Sequence, residues 1–301
     1  MTRLSTQRDA VSGCATSRPS QVRKLLKRLG LRARKRWGQH FLVDTSVLRK
    51  TISAAELAPD DTVVEVGPGL GVLTEELLKR AGEVFAIEVD SGLASALSHT
   101  FAGHSNLTVV NANVLEVEAQ SLFRQHRSTP GYKVVANLPY YITAPTLRHF
   151  LEASLKPHLM VVMVQKEVAQ NIVAARGKTS LLSIAVQFYG RPTIVSYVPA
   201  SSFYPTPKVD SALLKIEVYP EPAVDVADPH SFFQTVQAGF SAPRKQLHNA
   251  LTLGLKISPG DAAALLEEAG IAPSRRAGTL SLDDWTALHR LALTKCYLPR
   301  C

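Results

Sequence analysis

Val63-Val64-Glu65-Val66-Gly67-Pro68-Gly69-Leu70-Gly71 decides the fold. A short apolar strand runs straight into a glycine-rich turn, and a helical pattern, Val72–Arg80, follows it. Glycines let the backbone turn sharply and pass close to a ligand. The helix N-terminus just beyond favours polar or anionic groups. A dinucleotide-binding fingerprint needs Gly-x-Gly-x-x-Gly. The third position after Gly69 is Val72, so the spacing is Gly-x-Gly-x-Gly and a dehydrogenase reading fails.

Outward from this strand the pattern alternates. Thr62–Val66, Val84–Val89, Leu107–Val110, Lys133–Ala136 and Leu159–Val164 read as strands, with helical stretches such as Val72–Arg80 and Gly92–Phe101 between them. Strands separated by helices predict a parallel sheet with right-handed crossovers, an α/β fold. Past residue 180, Leu182–Phe188 and Ala212–Val218 read as strands of an antiparallel hairpin at the sheet edge, joined by the Ser/Pro-rich loop Val198–Val209. Beyond Tyr219-Pro220-Glu221-Pro222, four stretches read as helices: Phe232–Phe240, Arg244–Leu253, Ala262–Ala269 and Asp284–Thr294. The expected organisation is a basic arm over 1–36, an α/β domain over 37–221 and a small helical domain over 222–301.

Successive strand ends carry polar groups. The second ends in Ile87-Glu88-Val89-Asp90, and an acid there can hydrogen-bond ribose hydroxyls. The third ends in Asn111-Ala112-Asn113-Val114, where a polar side chain can meet an adenine edge. The fourth ends in Asn137-Leu138-Pro139-Tyr140. Asn offers an amide donor and acceptor, Pro stiffens the turn, and Tyr supplies a face on which a base can stack. Each piece alone can also be read as a turn or a solvated surface acid. Their order at the carboxyl ends of parallel strands, where ligands bind, argues for one site. Tyr141 reads as a packing residue.

Residues 1–36 hold 11 Lys and Arg against one acid, Asp9, which leaves the remainder of a +9 chain at −1. A local basic arm points to a polyanion partner. Residues 1–18 read as a disordered tail, with a faint transit-peptide character. Ser20 is placed to cap a helix burying Val22, Leu25, Leu26 and Leu29, which Gly30 stops, and Asp44 or Thr45 to cap the next one. No apolar run reaches the ~20 residues that span a bilayer. Cys14, Cys296 and Cys301 have no metal-ligand spacing and no disulfide framework, so no metal is expected and a reducing compartment fits.

With Gly38-Gln39-His40-Phe41-Leu42 before these motifs and Phe203-x-Pro205-x-Pro207-Lys208-Val209-Asp210-Ser211 after them, the chain resembles the S-adenosylmethionine-dependent rRNA adenine N6,N6-dimethyltransferases over residues 19–294, their small-subunit branch above all. The resemblance implies a Rossmann-like methyltransferase sheet with a small all-helical, RNA-binding C-terminal domain. It implies transfer of methyl groups from S-adenosyl-L-methionine to N6 of two adjacent adenosines in a 3′-terminal hairpin of small-subunit (16S) rRNA, in ribosome biogenesis. By motif, Gln39, His40 and Leu42 close over the cofactor. Gly67, Gly69 and Gly71 approach its methionine part, Glu88 holds the ribose, and Asn113 and Val114 border the adenine. Asn137 serves cofactor and target. Leu138 and Pro139 complete the catalytic turn, and Tyr140 and Phe203 sandwich the target base. The expected RNA contacts are Arg23, Lys24, Lys27, Arg28, Arg34, Lys35, Arg36, Arg148, Arg244, Lys245 and Arg276.

The chain departs from the family at Asn113, usually Asp, at Pro243-Arg244-Lys245, which has one arginine in place of two, and at Gly278, usually Glu. The implied setting is a monomer in the cytoplasm acting on an assembling 30S-type particle. The alternative is a non-catalytic ribosome-assembly or organellar transcription factor on the same fold. A large-subunit methyltransferase of the resistance type is disfavoured by the Gly-Gln-His-Phe-Leu start and the long helical C-terminal segment.

Overall fold

A computed structural model describes residues 18–34, 37–123, 131–174 and 179–298. The chain forms two compact units. The described residues up to Lys166 join Ile194–Lys215 in the first, and Glu167–Thr193 joins the residues from Ile216 onward in the second. Elements run in the order α1 (Pro19–Arg28), β1 (Phe41–Leu42), α2 (Thr45–Ala55), β2 (Thr62–Val66), α3 (Val72–Leu78), β3 (Glu83–Ile87), α4 (Ser91–Thr100), β4 (Leu107–Val110), α5 (Ala119–Phe123) and β5 (Lys133–Asn137). They continue with α6 (Thr143–Leu151), β6 (Leu159–Gln165), α7 (Lys166–Ile172), α8 (Leu181–Tyr189), β7 (Gly190–Val198), β8 (Phe203–Tyr204) and β9 (Ser211–Val218), and end with α9 (Pro229–Gly239), α10 (Leu247–Leu255), α11 (Pro259–Glu268) and α12 (Leu282–Thr294).

Seven strands make one sheet in the order β4-β3-β2-β5-β6-β9-β7. The run from β4 to β6 is parallel. Every residue of β2 is buried, as a central parallel strand covered on both faces requires. The order reverses direction between β2 and β5, and crevices that receive ligands open at such switch points. Arg191 beside Glu217 and the Ala200 N–H on Asp210 show that β7 and β9 run antiparallel. β1 and β8 form a separate antiparallel pair.

The helix starts follow their capping chemistry. Asp44 accepts from the N–H groups of Ser46 and Val47 at the start of α2, and Asp90 from Gly92 and Leu93 at the start of α4. Helix α1 starts differently from expectation: it begins at Pro19, whose fixed φ suits a first turn, and Ser20 does not cap it. Val22, Leu25 and Leu26 are buried, while Leu29 stays 37% exposed.

Leu182–Phe188, expected as a strand, is helix α8. A short, mostly apolar run does not distinguish a buried strand from a buried helix by periodicity. Here the flanking chemistry decides: Ser180 and Ser183 form a reciprocal capping box that nucleates a helix. The hairpin strand is instead β7, where exposed Arg191, Thr193, Val195 and Tyr197 alternate with more covered neighbours. In the second unit Phe232 stacks on Phe188, and Trp285, fully buried, stacks on Phe240.

Candidate functional site

The register of the sheet assembles the site. Val66 pairs with Ile87 and with Ala136, so the chain leaves β2, β3 and β5 at one level, at Gly67, Glu88 and Asn137. Ile87 pairs with Val110, which brings Asn111 beside Glu88, and the Asn111 side chain donates to the Glu88 carbonyl at 2.7 Å. A cavity of about 350 Å³ opens at these strand ends, with Gln39, Gly67, Glu88, Asn113, Asn137 and Tyr140 among its walls.

Glu88 and Glu65 are the acids of the cavity wall, and Glu88 is the one at the strand end. Its side chain is buried, and each carboxylate oxygen takes one backbone N–H: Gly69 at 3.1 Å and Asp90 at 3.0 Å. Burial is the largest effect on its carboxyl and raises its pKa, while these two N–H groups oppose it. Each oxygen keeps a lone pair for a ligand hydroxyl. Beneath it, Glu65 is 1% exposed, and its carboxylate accepts the Thr74 hydroxyl at 2.6 Å. Burial pushes its pKa up to about 8, so near neutral pH Glu65 is mostly protonated.

Asn137 donates its side-chain N–H to the His40 carbonyl at 2.9 Å. A carbonyl only accepts, so the amide oxygen is left for the cavity. Leu138 is buried and its N–H is held by Met163. The Tyr140 hydroxyl shares a 2.7 Å hydrogen bond with Ser211, and its ring stacks on His40 with centroids 5.8 Å apart. His40 Nδ1 lies 2.5 Å from the Pro205 carbonyl, which sets it as the donor.

Segment 37–40 and Leu42 line the same cavity. β1 pairs with β8, and Ser202 reaches across to Asp44 at 2.9 Å, which fixes the end of the segment. Asn113 is on the wall with Val114, but its side chain works locally. Its oxygen accepts from Leu115 N–H at 3.2 Å and its amide donates to Glu116 at 3.0 Å. One lone pair of that oxygen remains for a purine amino group.

Two expected residues fall elsewhere. Gly71 does not line the cavity. It caps α3 with φ +80°, and a Cβ on it would lie 2.6 Å from the Phe101 ring and 2.8 Å from Leu97. Its glycine is required by packing and backbone conformation, whereas Gly67 and Gly69 face the cavity. Phe203 is 1% exposed and belongs to the core cluster with Val198 and Leu213. Successive residues of a strand point to opposite faces. Phe203 therefore enters that core, while Tyr204 packs towards α1 and takes the Arg23 guanidinium. Phe203 is not on the cavity wall to face Tyr140 across a base, and the ring stacked on Tyr140 is His40.

Of the expected RNA contacts in the first unit, Arg23, Lys24, Lys27 and Arg28 share the exposed face of α1. Arg34 is committed elsewhere: its guanidinium pairs with Asp90 at 3.3 Å and stacks over Trp37. Arg148 pairs with Glu152. Lys35 and Arg36 lie outside the described residues. In the second unit Arg244, Lys245 and Arg276 are exposed. Sequence reasoning missed Ser211 as the partner of Tyr140 and Asp90 as the partner of Arg34. It also took Tyr141 for a packing residue; Tyr141 is 56% exposed and lines the cavity. The aromatic pair following Asn-Leu-Pro was the available signal for Tyr141.

A Rossmann-like sheet in this strand order, with Gly-x-Gly-x-Gly at one strand end and a buried acid at the next, defines an S-adenosylmethionine-dependent methyltransferase with a helical C-terminal region. The chain belongs to the ribosomal RNA adenine dimethylase family, whose sequence profile matches residues 30–292. It is 50% identical over 274 residues to the ribosomal RNA small subunit methyltransferase A of Dehalococcoides mccartyi, covering 91% of this chain and 93% of that protein. The protein of the same name from Moorella thermoacetica is 43% identical over 280 residues, covering 90% and 96%. Among solved structures, the 23S rRNA methyltransferase ErmE is 29% identical with a TM-score of 0.64, over 83% of this chain and 98% of that one. A dimethyladenosine transferase from Plasmodium falciparum is 26% identical with a TM-score of 0.72, over 86% and 99%.

The cavity fits the cofactor of this class. The Glu88 carboxylate, with one acceptor site left on each oxygen, suits a ribose diol. At Gly69, with φ +57°, a side chain would be strained and its Cβ would crowd the Phe41 ring at 3.2 Å, so glycine suits this wall.

Proposed function

We propose that this protein transfers methyl groups to N6 of two adjacent adenosines in a 3′-terminal hairpin of small-subunit rRNA. The observation that carries this reading is the Asn137–Tyr140 turn at the end of β5, whose amide oxygen and ring share one cavity with the ribose acid Glu88. The small-subunit assignment is supported by relatives of that name at 50% and 43% identity, against 29% for a 23S enzyme.

S-adenosylmethionine supplies a methyl group activated by the sulfonium it leaves. Glu88 holds the ribose, Gly67 and Gly69 give the methionine part a close backbone, and Asn113 with Val114 borders the purine. The target amine is a poor nucleophile because its lone pair is delocalised into the adenine ring. Asn137 Oδ1 and the Leu138 carbonyl accept its two hydrogens and favour a pyramidal, nucleophilic nitrogen. Tyr140, fixed by Ser211 and His40, stacks on the base that has left its helix. Such positioning supplies on the order of 7–11 kcal/mol in favourable cases. The turn contains no basic side chain, and the proton leaves to water.

RNA duplexes are recognised by shape and phosphate. The α1 face carrying Arg23, Lys24, Lys27 and Arg28 and the exposed Arg244, Lys245 and Arg276 fit that task. The setting that follows is a cytoplasmic monomer acting on an assembling small subunit. No helix among the described residues is long and apolar enough to cross a membrane.

The test is incubation with unmethylated small-subunit particles and labelled cofactor, followed by nucleoside analysis. Dimethyladenosine is expected from the wild type, and Asn137→Ala should lose it while still binding cofactor. Methylation confined to large-subunit rRNA, or no product with cofactor bound, would overturn the proposal.

A further inference from the structure

Asp90 follows the ribose acid Glu88 by two positions, and nothing about the chemistry of methyl transfer calls for it. It is nonetheless 2% exposed, in a chain where a buried carboxylate needs partners. Its two oxygens do different work. Oδ1 accepts from Gly92 N–H at 2.9 Å and Leu93 N–H at 3.4 Å, the ordinary cap of α4. Asparagine performs that task as well as aspartate. Oδ2 faces another way: it accepts from Gln39 Nε2 at 3.4 Å and pairs with Arg34 Nε at 3.3 Å.

Gln39 belongs to the strap 37–40, and Arg34 is bonded to it. Arg34 donates its backbone N–H to Gln39 Oε1 at 2.8 Å, and its guanidinium lies 4.4 Å from the Trp37 ring centroid. Trp37, Gly38, Gln39 and His40 then line the cofactor cavity, and Asn137 holds the far end of the strap through the His40 carbonyl. Asp90 itself is not on the cavity wall.

We infer that Asp90 is a positioning residue that, through Arg34 and Gln39, latches the strap 37–40 over the bound cofactor and sets how long the cofactor stays. The inference rests on the methyltransferase reading of the cavity. The charge is the informative part: capping α4 needs only an oxygen, whereas holding Arg34 needs a carboxylate. The Arg34 side chain is 39% exposed, so salt reaches the pair and loosens it.

The experiment uses the full chain with S-adenosylmethionine and S-adenosylhomocysteine as ligands and no RNA, comparing wild type, Asp90→Asn, Arg34→Gln and the double variant. Affinity is read by calorimetry and dissociation by stopped-flow displacement. Asp90→Asn keeps the α4 cap and removes the charge. A charge-assisted contact of this kind predicts roughly a five- to thirtyfold weaker cofactor affinity, carried by faster dissociation. In turnover the loss falls on KM for the cofactor rather than on kcat. Wild-type dissociation should quicken between low and high salt, Asp90→Asn dissociation should not, and the double variant should lose no more than the worse single one. Unchanged dissociation in Asp90→Asn, or a loss that is the same at every salt concentration and additive with Arg34→Gln, would overturn the inference. If Asp90→Asn does not fold, Arg34→Gln decides alone: wild-type dissociation in that variant overturns it. Failure of the wild type to bind either ligand counts against the methyltransferase reading instead.

Discussion

Replacing Glu65 by Gln should make the protein more stable, by an amount that grows from about pH 4.5 to about pH 8. Glu65 lies on the central strand β2, buried, with the Thr74 hydroxyl donating to its carboxyl at 2.6 Å. Burial lifts its pKa from 4.5 to about 8, the Thr74 hydrogen bond opposes this, and the nearby charge of Glu88 adds to it. Between those two values the folded protein holds a proton that the unfolded chain has released. Stability therefore falls as pH rises through this window and levels off above pH 8. At ~1.36 kcal/mol per pH unit the full loss is about 5 kcal/mol, and about 3 kcal/mol of it is already present at pH 7. Gln keeps the shape and the acceptor for Thr74 and removes the ionisation. Glu65→Gln should match the wild type near pH 4.5 and exceed it by these amounts at pH 7 and pH 9. Urea unfolding at the three pH values, followed by circular dichroism, measures the difference. A constant difference across the range would show that Glu65 ionises like an ordinary glutamate and would refute the reasoning.

Gly71→Ala puts a Cβ 2.6 Å from Phe101 at φ +80°, so it should cost about 1–3 kcal/mol of stability without touching the cavity wall; a thermal melt no different from wild type would contradict the packing role. Tyr140→Phe keeps the stacking ring and loses the 2.7 Å bond to Ser211, which at about 1 kcal/mol should slow single-turnover methylation roughly fivefold. Tyr140→Ala should lose on the order of 1–3 kcal/mol more through the missing stack, and equal rates for the two variants would remove Tyr140 from base binding. Lys24→Ala with Lys27→Ala should weaken RNA binding at all sequences and lower the slope of log K against log salt by about two; an unchanged slope would move the RNA off the α1 face.

Much of this protein was legible residue by residue. Alternation of apolar runs with helical patterns located the five parallel strands, because a strand buried on both faces must be apolar throughout. The groups at the strand ends were legible for a related reason. Glu88 and Asn137 each stand at the boundary of an apolar run, and parallel register brings such boundaries to one edge. Leu182–Phe188 was misread because a short, mostly apolar run suits a buried strand and a buried helix alike, and the Ser180–Ser183 box is a side-chain event.

The sequence by itself determined that a glycine turn, the acid Glu88 and an Asn-Leu-Pro-Tyr turn share the carboxyl edge of one sheet, since spacing along a strand governs local backbone direction. It did not determine which members of those motifs face the ligand. Phe203 turned inward and His40 stacked on Tyr140, because the pairing of β1 with β8 joins segments some 160 residues apart and fixes which way each side chain points. Gly71 proved to be a packing glycine because Phe101, a helix away, occupies the space beside it. Arg34 left the expected RNA surface for Asp90 because a buried carboxylate needs partners, and only the folded chain shows which cation comes near enough to supply one.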